Sequence, residues 1–227
     1  MNKVKSTFYK KQMYNNKLIM LLAKVSHKFV SIYDSFVDKK VCKMSLKKYV
    51  PSKYRESHGA TGSYSTEYLI LKDIIDTEKL DENSKFIDVG CGKGRVIASL
   101  LHRKVNCPMV GVELNEEVAE VAKSWTKAYD NVEIKCVNAF EIDLNEYTDI
   151  FLARPFEVEM FEKFLEKMEQ EIKHEVRVYM YVDQLYIGVM DDRPRWNLEK
   201  RGISYFRKGF FVNITPQRYS VYTYKPQ

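Results

Sequence analysis

A doubly wound α/β fold, a mostly parallel sheet with helices on both faces, is what this sequence predicts. Three observations carry it. Beyond residue 60, apolar runs of strand length alternate with segments whose apolar residues recur at helical spacing, the order that builds parallel strands joined by helical crossovers. One run, Phe86-Ile87-Asp88-Val89, passes straight into Gly90-Cys91-Gly92-Lys93-Gly94 and then into a helical segment. A glycine-rich turn in that context belongs to a ligand-binding first crossover. The end of the chain holds two β-rich runs about a turn, which closes the sheet with an antiparallel hairpin.

The elements follow in order. In residues 17–37, Leu18, Leu21, Leu22, Val25, Phe29, Ile32, Tyr33 and Phe36 fall three and four apart, with Lys17, Lys24, His27, Lys28 and Asp34 largely off that stripe. This is an amphipathic helix. Pro51 and the segment 57–63 break regular structure, so residues 1–56 form a basic helical extension and 57–227 the core domain. A helix over 66–79 has Ser65 or Thr66 available as its cap. Strand 85–89, helix 95–103 and strand 109–113 come next. Val118, Val121, Ala122, Trp125 and Tyr129 then mark a helix behind the cap Asn115. Strands 132–137 and 149–153 precede a long helix with Phe161, Phe164, Leu165, Met168 and Ile172 on one face. Strand 176–182 follows, and the hairpin pairs 210–214 with 219–224 around Thr215-Pro216-Gln217-Arg218. Tyr205, Tyr219, Tyr222 and Tyr224 there read as sheet packing rather than a base-stacking platform.

With 227 residues, 45% hydrophobic and 30% charged, the chain suits one core plus a short appendage. Cys42, Cys91, Cys107 and Cys136 form no CxxC pair, so neither a zinc site nor a disulfide framework is expected, and a cytoplasmic location fits. The apolar run 18–23 ends at Lys24, too short for a membrane span or a signal peptide. The net charge of +6 is unevenly spread: residues 1–53 hold thirteen lysines against Asp34 and Asp38, a net of +11, leaving −5 for the rest. Such an arm suits an acidic partner or an anionic membrane surface. The alternative is a helix laid over the sheet edge with its lysines solvated. Each lysine near an anionic membrane contributes about 1 kcal/mol, so six of them, helped by Phe29 and Phe36, would hold the helix there. Nucleic acid fits less well, because the arm holds no arginine and no recognised module.

The glycine loop separates ligand classes. A dinucleotide loop is usually GxGxxG and cradles a pyrophosphate. Here the spacing is GxGxG, with Asp88 two residues before the first glycine. A carboxylate there repels a pyrophosphate and suits the ammonium and sulfonium of S-adenosylmethionine. Val112-Glu113, ending the second strand, offers an acid to a ribose.

From Gly59-Ala60-Thr61-Gly62, through the loop from Asp88 to Val96, to Ala153-Arg154-Pro155-Phe156, the chain resembles the class I S-adenosylmethionine-dependent methyltransferases. It is most similar to bacterial stand-alone enzymes with an Asp-x-Gly-x-Gly-Lys-Gly-Arg loop. The resemblance spans roughly residues 57–224 and implies a Rossmann-like fold with S-adenosylmethionine as cofactor. It implies that Asp88, Gly90 and Gly92 line the methionine moiety and Glu113 the ribose, with Cys91, Gly94 and Leu114 also at the cofactor. Asn138, Ala139 and Phe140 would edge the adenine, and the segment from Thr61 to Ser65 would close over the cofactor. Arg154 departs from the pattern, standing where that group has asparagine.

No universal catalytic residue is expected, since methyl transfer needs mainly in-line positioning. The candidates are His58 and Tyr64 in the lid, and Arg154, which would hold an acidic substrate group or pair with an acid such as Asp183. Cys91 reads as packing rather than as a nucleophile. The acceptor stays open between a glycan or small molecule and a protein lysine. A nucleic-acid base is disfavoured because no Asn-Pro-Pro-Tyr-like motif is present. The competing classes are a cofactor-binding scaffold without turnover and an NAD-dependent oxidoreductase.

Overall fold

The computed structural model describes residues 16–190, 193–204, 206–207, 210–211 and 217–226. The elements are α1 (Lys17–Cys42), α2 (Arg55–His58), α3 (Tyr68–Ile74), β1 (Phe86–Val89), α4 (Arg95–His102), β2 (Met109–Val112), α5 (Glu116–Thr126) and β3 (Val132–Lys135). They continue with β4 (Asp149–Leu152), α6 (Val158–Glu171), β5 (Val176–Tyr181), α7 (Ile187–Met190), β6 (Trp196–Ser204), β7 (Phe206–Arg207), β8 (Phe210–Phe211) and β9 (Gln217–Tyr224).

The main sheet has the order β3-β2-β1-β4-β5-β9-β6. Strands β1 to β5 are parallel, and β9 runs antiparallel between β5 and β6. From β1 the chain works outward on one side to β2 and β3, then returns to lay β4 and β5 on the other. This reversal between β1 and β4 opens a crevice beyond their carboxyl ends, where such sheets bind ligands. Both strands are buried at every position, as parallel strands covered on two faces must be. One apolar cluster packs α1, α3, α4 and α5 on one side of the sheet, and a second packs α6 on the other.

The structure departs from expectation in two places. The C-terminal hairpin pairs β9 with β6, and Phe210–Phe211 forms a two-stranded ribbon with Phe206–Arg207, while 212–214, the rest of the expected partner, lie outside the described residues. Strand β6 escaped notice because its middle, Asn197 to Arg201, faces solvent without a clean polar/apolar alternation and contains a bulge, as charged edge strands often do. Tyr205, Thr215 and Pro216 lie outside the described residues, while Tyr219, Tyr222 and Tyr224 are packed into the sheet. Helix α3 is shorter than expected, ending at Ile74, and its first residue follows Glu67 with no side-chain cap from Ser65 or Thr66. The Asn115 cap is present, its side chain accepting from Glu117 N–H.

Helix α1 lies against the domain by the face opposite its apolar stripe. Asn16 caps its start, accepting from the Leu18 and Ile19 N–H groups. The apolar stripe does not pack onto the domain: it faces outward, with Leu18, Ile32 and Phe36 at 64, 65 and 61% exposure. The buried face holds Ala23, Ser26, Val30, Asp34, Val37, Asp38 and Val41. An ion pair set this orientation. Arg95, on α4, donates from Nε and Nη2 to the two oxygens of Asp38 at 3.1 and 2.7 Å and from Nη1 to Asp34 at 3.4 Å. All three side chains are withdrawn from solvent. Separating such a pair would strand buried charge at a cost of about 3–5 kcal/mol, so the acids turn inward and carry the small residues of the helix with them.

Candidate functional site

The loop after β1 is shaped by three glycines with positive φ: Gly90 at 75°, Gly92 at 56° and Gly94 at 86°. At Gly90 a Cβ would also lie 2.7 Å from the Pro155 ring, so the turn needs glycine for both conformation and space. Gly90 and Cys91 donate their N–H groups to Val112 O, tying the loop to the end of β2. Glu113, just beyond, accepts from Gly92 N–H at 3.0 Å and Asn115 N–H at 2.8 Å.

A strap covers this loop. Gly59 N–H closes the turn of α2, and Gly59 O accepts from Glu157 N–H. Thr61 donates its N–H to Pro155 O and its hydroxyl to Arg154 O at 2.7 Å. Two motifs nearly a hundred residues apart in sequence therefore meet as one structure over the ends of β1 and β4. The extension adds a further layer: Val50 and Ser63 exchange backbone hydrogen bonds, Lys93 Nζ donates to Lys48 O, and Ser65 donates to Leu46 O.

Together they border a cleft of about 840 Å³, a volume that includes the solvent at its open mouth. His58, Thr61, Tyr64, Ser65, Asp88, Gly90, Cys91, Gly92, Glu113, Leu114, Asn138 and Ala139 line it. Three expected residues do not. Gly94 turns toward Trp125, where it opens α4. Phe140 packs against Phe156 and Phe164, and Arg154 faces a neighbouring cavity. Ser63, within the expected covering segment, also lines the cleft, as do Lys93, Pro155 and Phe156, which the motifs contain without a site role of their own. The Pro155-Phe156 motif was the signal that pointed there.

The electrostatics are unusual at one residue. Asp88 is 1% exposed, and neither carboxylate oxygen has a hydrogen-bond partner. Burial, and then the Glu113 carboxylate, raise it well above the usual carboxylate range. Glu113 is raised as well by burial, opposed by its N–H partners. Burial also keeps Cys91 a thiol, raised further by Asp88 and Glu113, which removes it as a nucleophile. Lys93 is drawn down to about 8, first by burial and then by Arg95.

Beside the cleft lies a second cavity lined by Tyr49, Arg55, Tyr64, Arg154 and Tyr181, with Tyr64 common to both. Arg154 has φ 50°, a region that asparagine enters readily and arginine does not. Its Nη2 lies 3.9 Å from Glu157, to which Arg55 comes within 3.1 Å. The expected pairing of Arg154 with Asp183 is not formed: Asp183 is taken by Arg218 at 2.7 and 3.0 Å and by Ser220. His58 bonds Ser57 and lies edge-on to Tyr54. Among the described residues no group of side chains is arranged to hold a metal ion.

Comparison with known proteins agrees with this geometry. Residues 80–191 match the family model of a methyltransferase domain. No curated protein sequence matches the chain. Among solved structures, a methyltransferase from Pyrococcus furiosus aligns over 88% of this chain and 98% of its own, with TM-score 0.58 and 16% identity. An RNA methyltransferase from Salinibacter ruber in complex with S-adenosyl-L-homocysteine aligns over 72 and 94%, with TM-score 0.52 and 20% identity. Magnesium protoporphyrin IX methyltransferase from Synechocystis, with bound S-adenosylmethionine, aligns over 69 and 77%, with TM-score 0.53 and 12% identity. The fold is the Rossmann-like fold of these enzymes.

Proposed function

We propose that the protein transfers a methyl group from S-adenosylmethionine to a small acceptor bearing a carboxylate or phosphate. The observation that carries the cofactor is Asp88. A buried carboxylate with no partner in the protein is costly, and a cationic donor entering the cleft would relieve it. The ammonium of the methionine moiety is such a donor; a pyrophosphate would meet two carboxylates instead, which disfavours a dinucleotide.

When bound, S-adenosylmethionine supplies a methyl already activated by its sulfonium, so the protein's part is positioning and exclusion of water. Asp88 would hold the ammonium, and the free lone pairs of Glu113 the ribose hydroxyls. Asn138 and Ala139 would border the adenine. The strap through Thr61 to Ser65 would cover the ligand, with Gly92 leaving room under Ser63. Tyr64 would stand where the two cavities meet. Burial, and then Glu67, raise its phenol, so near neutrality it acts as a hydrogen-bond donor to the acceptor rather than as a base.

The acceptor class follows from the second cavity. Arg55 and Arg154 supply two guanidinium groups there, which suit anionic oxygens in bidentate fashion and repel a lysine ammonium. Tyr49, Tyr64 and Tyr181 supply aromatic walls.

Thermal melting with S-adenosylmethionine, S-adenosylhomocysteine and NAD tests the cofactor. Ligand at a hundred times its dissociation constant adds about 2.7 kcal/mol and raises the midpoint by several degrees. A rise with the adenosyl ligands alone supports the reading, and a rise with NAD alone defeats it. Methyl release onto carboxylate- or phosphate-bearing acceptors then tests turnover, and binding without turnover on any of them leaves a scaffold.

A further inference from the structure

The outward face of α1 has no partner chemistry in the site just described. Leu18, Leu21, Leu22, Val25, Ile32 and Phe36 form a continuous exposed apolar row, about 27 Å long at the rise of an α-helix. Large side chains lie outside while Ala23 and Ser26 lie inside, the reverse of what burial of apolar area favours. A row of this kind marks an interaction surface.

Charge identifies its occupant. Lys17, Lys24 and Lys28 lie along one flank of the row, and Lys39, Lys40, Lys43 and Lys48 cluster at its end, all exposed. The two acids of this segment, Asp34 and Asp38, are buried against Arg95. Residues 17–53 therefore present lysines and no exposed carboxylate. A second copy would bring like charge against like, and the phosphates of a nucleic acid would leave the leucines unused. No helix of the described residues is long and apolar enough to cross a membrane, and amphipathic helices with a lysine-flanked apolar face lie in the membrane interface.

We infer that α1 docks the protein in-plane on an anionic lipid bilayer, with the row of Leu18 to Phe36 sunk among the acyl chains and the lysines among the headgroups. The same segment runs on through Lys48, Tyr49 and Val50 to the rim of the two cavities, so docking would hold their mouth close to the surface.

Flotation of the full chain with phosphatidylcholine vesicles, with and without 30% phosphatidylglycerol, tests this. The expected result is at least tenfold stronger partition onto anionic vesicles, weakened at 0.5 M salt. The triple variant L21S/I32S/F36S should lose tenfold or more of that partition with an unchanged melting midpoint. Should it fold poorly, K17Q/K24Q/K28Q, on exposed positions, should lose several-fold while melting normally. Absence of partition, equal partition onto neutral vesicles, or full binding by the serine variant overturns the inference. So does a dimer in solution that the serine variant converts to a monomer, since a second copy would then cover the row. Vesicle binding is independent of cofactor binding, so failure here leaves the proposed activity standing.

Discussion

Replacing Asp88 by asparagine removes one charge and almost no volume from the floor of the cleft, and the two roles open to that carboxylate then predict opposite results. In the free protein the group is 1% exposed and unpartnered. Its acid form is favoured by burial and by Glu113. Because the folded-state value is raised, its contribution to stability is complete below the unfolded carboxylate value and is lost as pH rises through the folded one. The wild type and Asp88→Asn should therefore melt alike below about pH 4, and the variant should gain as pH rises above it. The gain has the size of a buried unsatisfied polar group, about 1–3 kcal/mol, or about 2–12 °C for a chain of this length.

Ligand affinity should move the other way. A hydrogen bond to a charged group contributes about 1.5–3 kcal/mol. Losing the charge opposite an ammonium should then weaken S-adenosylhomocysteine about 10- to 150-fold. 5′-Methylthioadenosine, which lacks the amino-acid moiety, should bind the variant as well as the wild type. Calorimetry in buffers of different ionisation enthalpy adds a signature: wild type releases a proton on binding S-adenosylhomocysteine, and Asp88→Asn releases none. A variant that melts lower at every pH and weakens both ligands equally would refute the assignment and leave Asp88 a structural residue.

Three further outcomes follow from the same geometry. Arg95→Ala should cost about 3–5 kcal/mol, because Asp34 and Asp38 are left buried and unpaired, and proteolysis should then cut near α1 before the core. Arg154→Asn should raise stability by about 0.5–1 kcal/mol by relieving a left-handed arginine, while KM for an anionic acceptor rises and cofactor affinity holds. Glu67 is raised to about 7 by burial and then by Asp34. Its stabilising contribution, on the order of 3 kcal/mol, is therefore complete below about pH 4 and lost as pH rises through 7. Glu67→Gln should flatten the melting profile between pH 5 and 8.

What could be read from the chain was local. Strand, glycine turn and helix around Asp88 follow from spacing within a dozen residues, as does the Asn115 cap. Sequence neighbours alone decide those features. Strand β6 could not be read in this way, since its partner β9 lies across residues 205–216 and its outward side chains obey no period. The second cavity was equally hidden: Arg55 and Arg154 stand ninety-nine positions apart and meet only because the strap binds the end of β4. Arg154 was noticed as an oddity of the fourth-strand motif, but its backbone angle, which gives the oddity meaning, is a property of the folded chain.

Helix α1 shows where periodicity stops short. Its apolar stripe is legible, but the choice between packing on the sheet edge and facing an outside surface stays open in the sequence, because a hydrophobic pattern states which residues leave water and not what they meet. The acids about five and six turns along carried the missing information. Two aspartates in a segment of thirteen lysines would be solvated at no cost if the stripe faced the domain. They are buried instead, which requires a cation on the domain side, and Arg95 is the one residue of the glycine loop's helix that reaches them. The residue that closes the loop motif thus also decides which face of α1 is left outside. Ligand site and outer surface are set by one side chain, so the Arg95→Ala experiment reads both. Loss of the apolar row's orientation should appear as altered vesicle partition at temperatures where the cleft still binds S-adenosylhomocysteine.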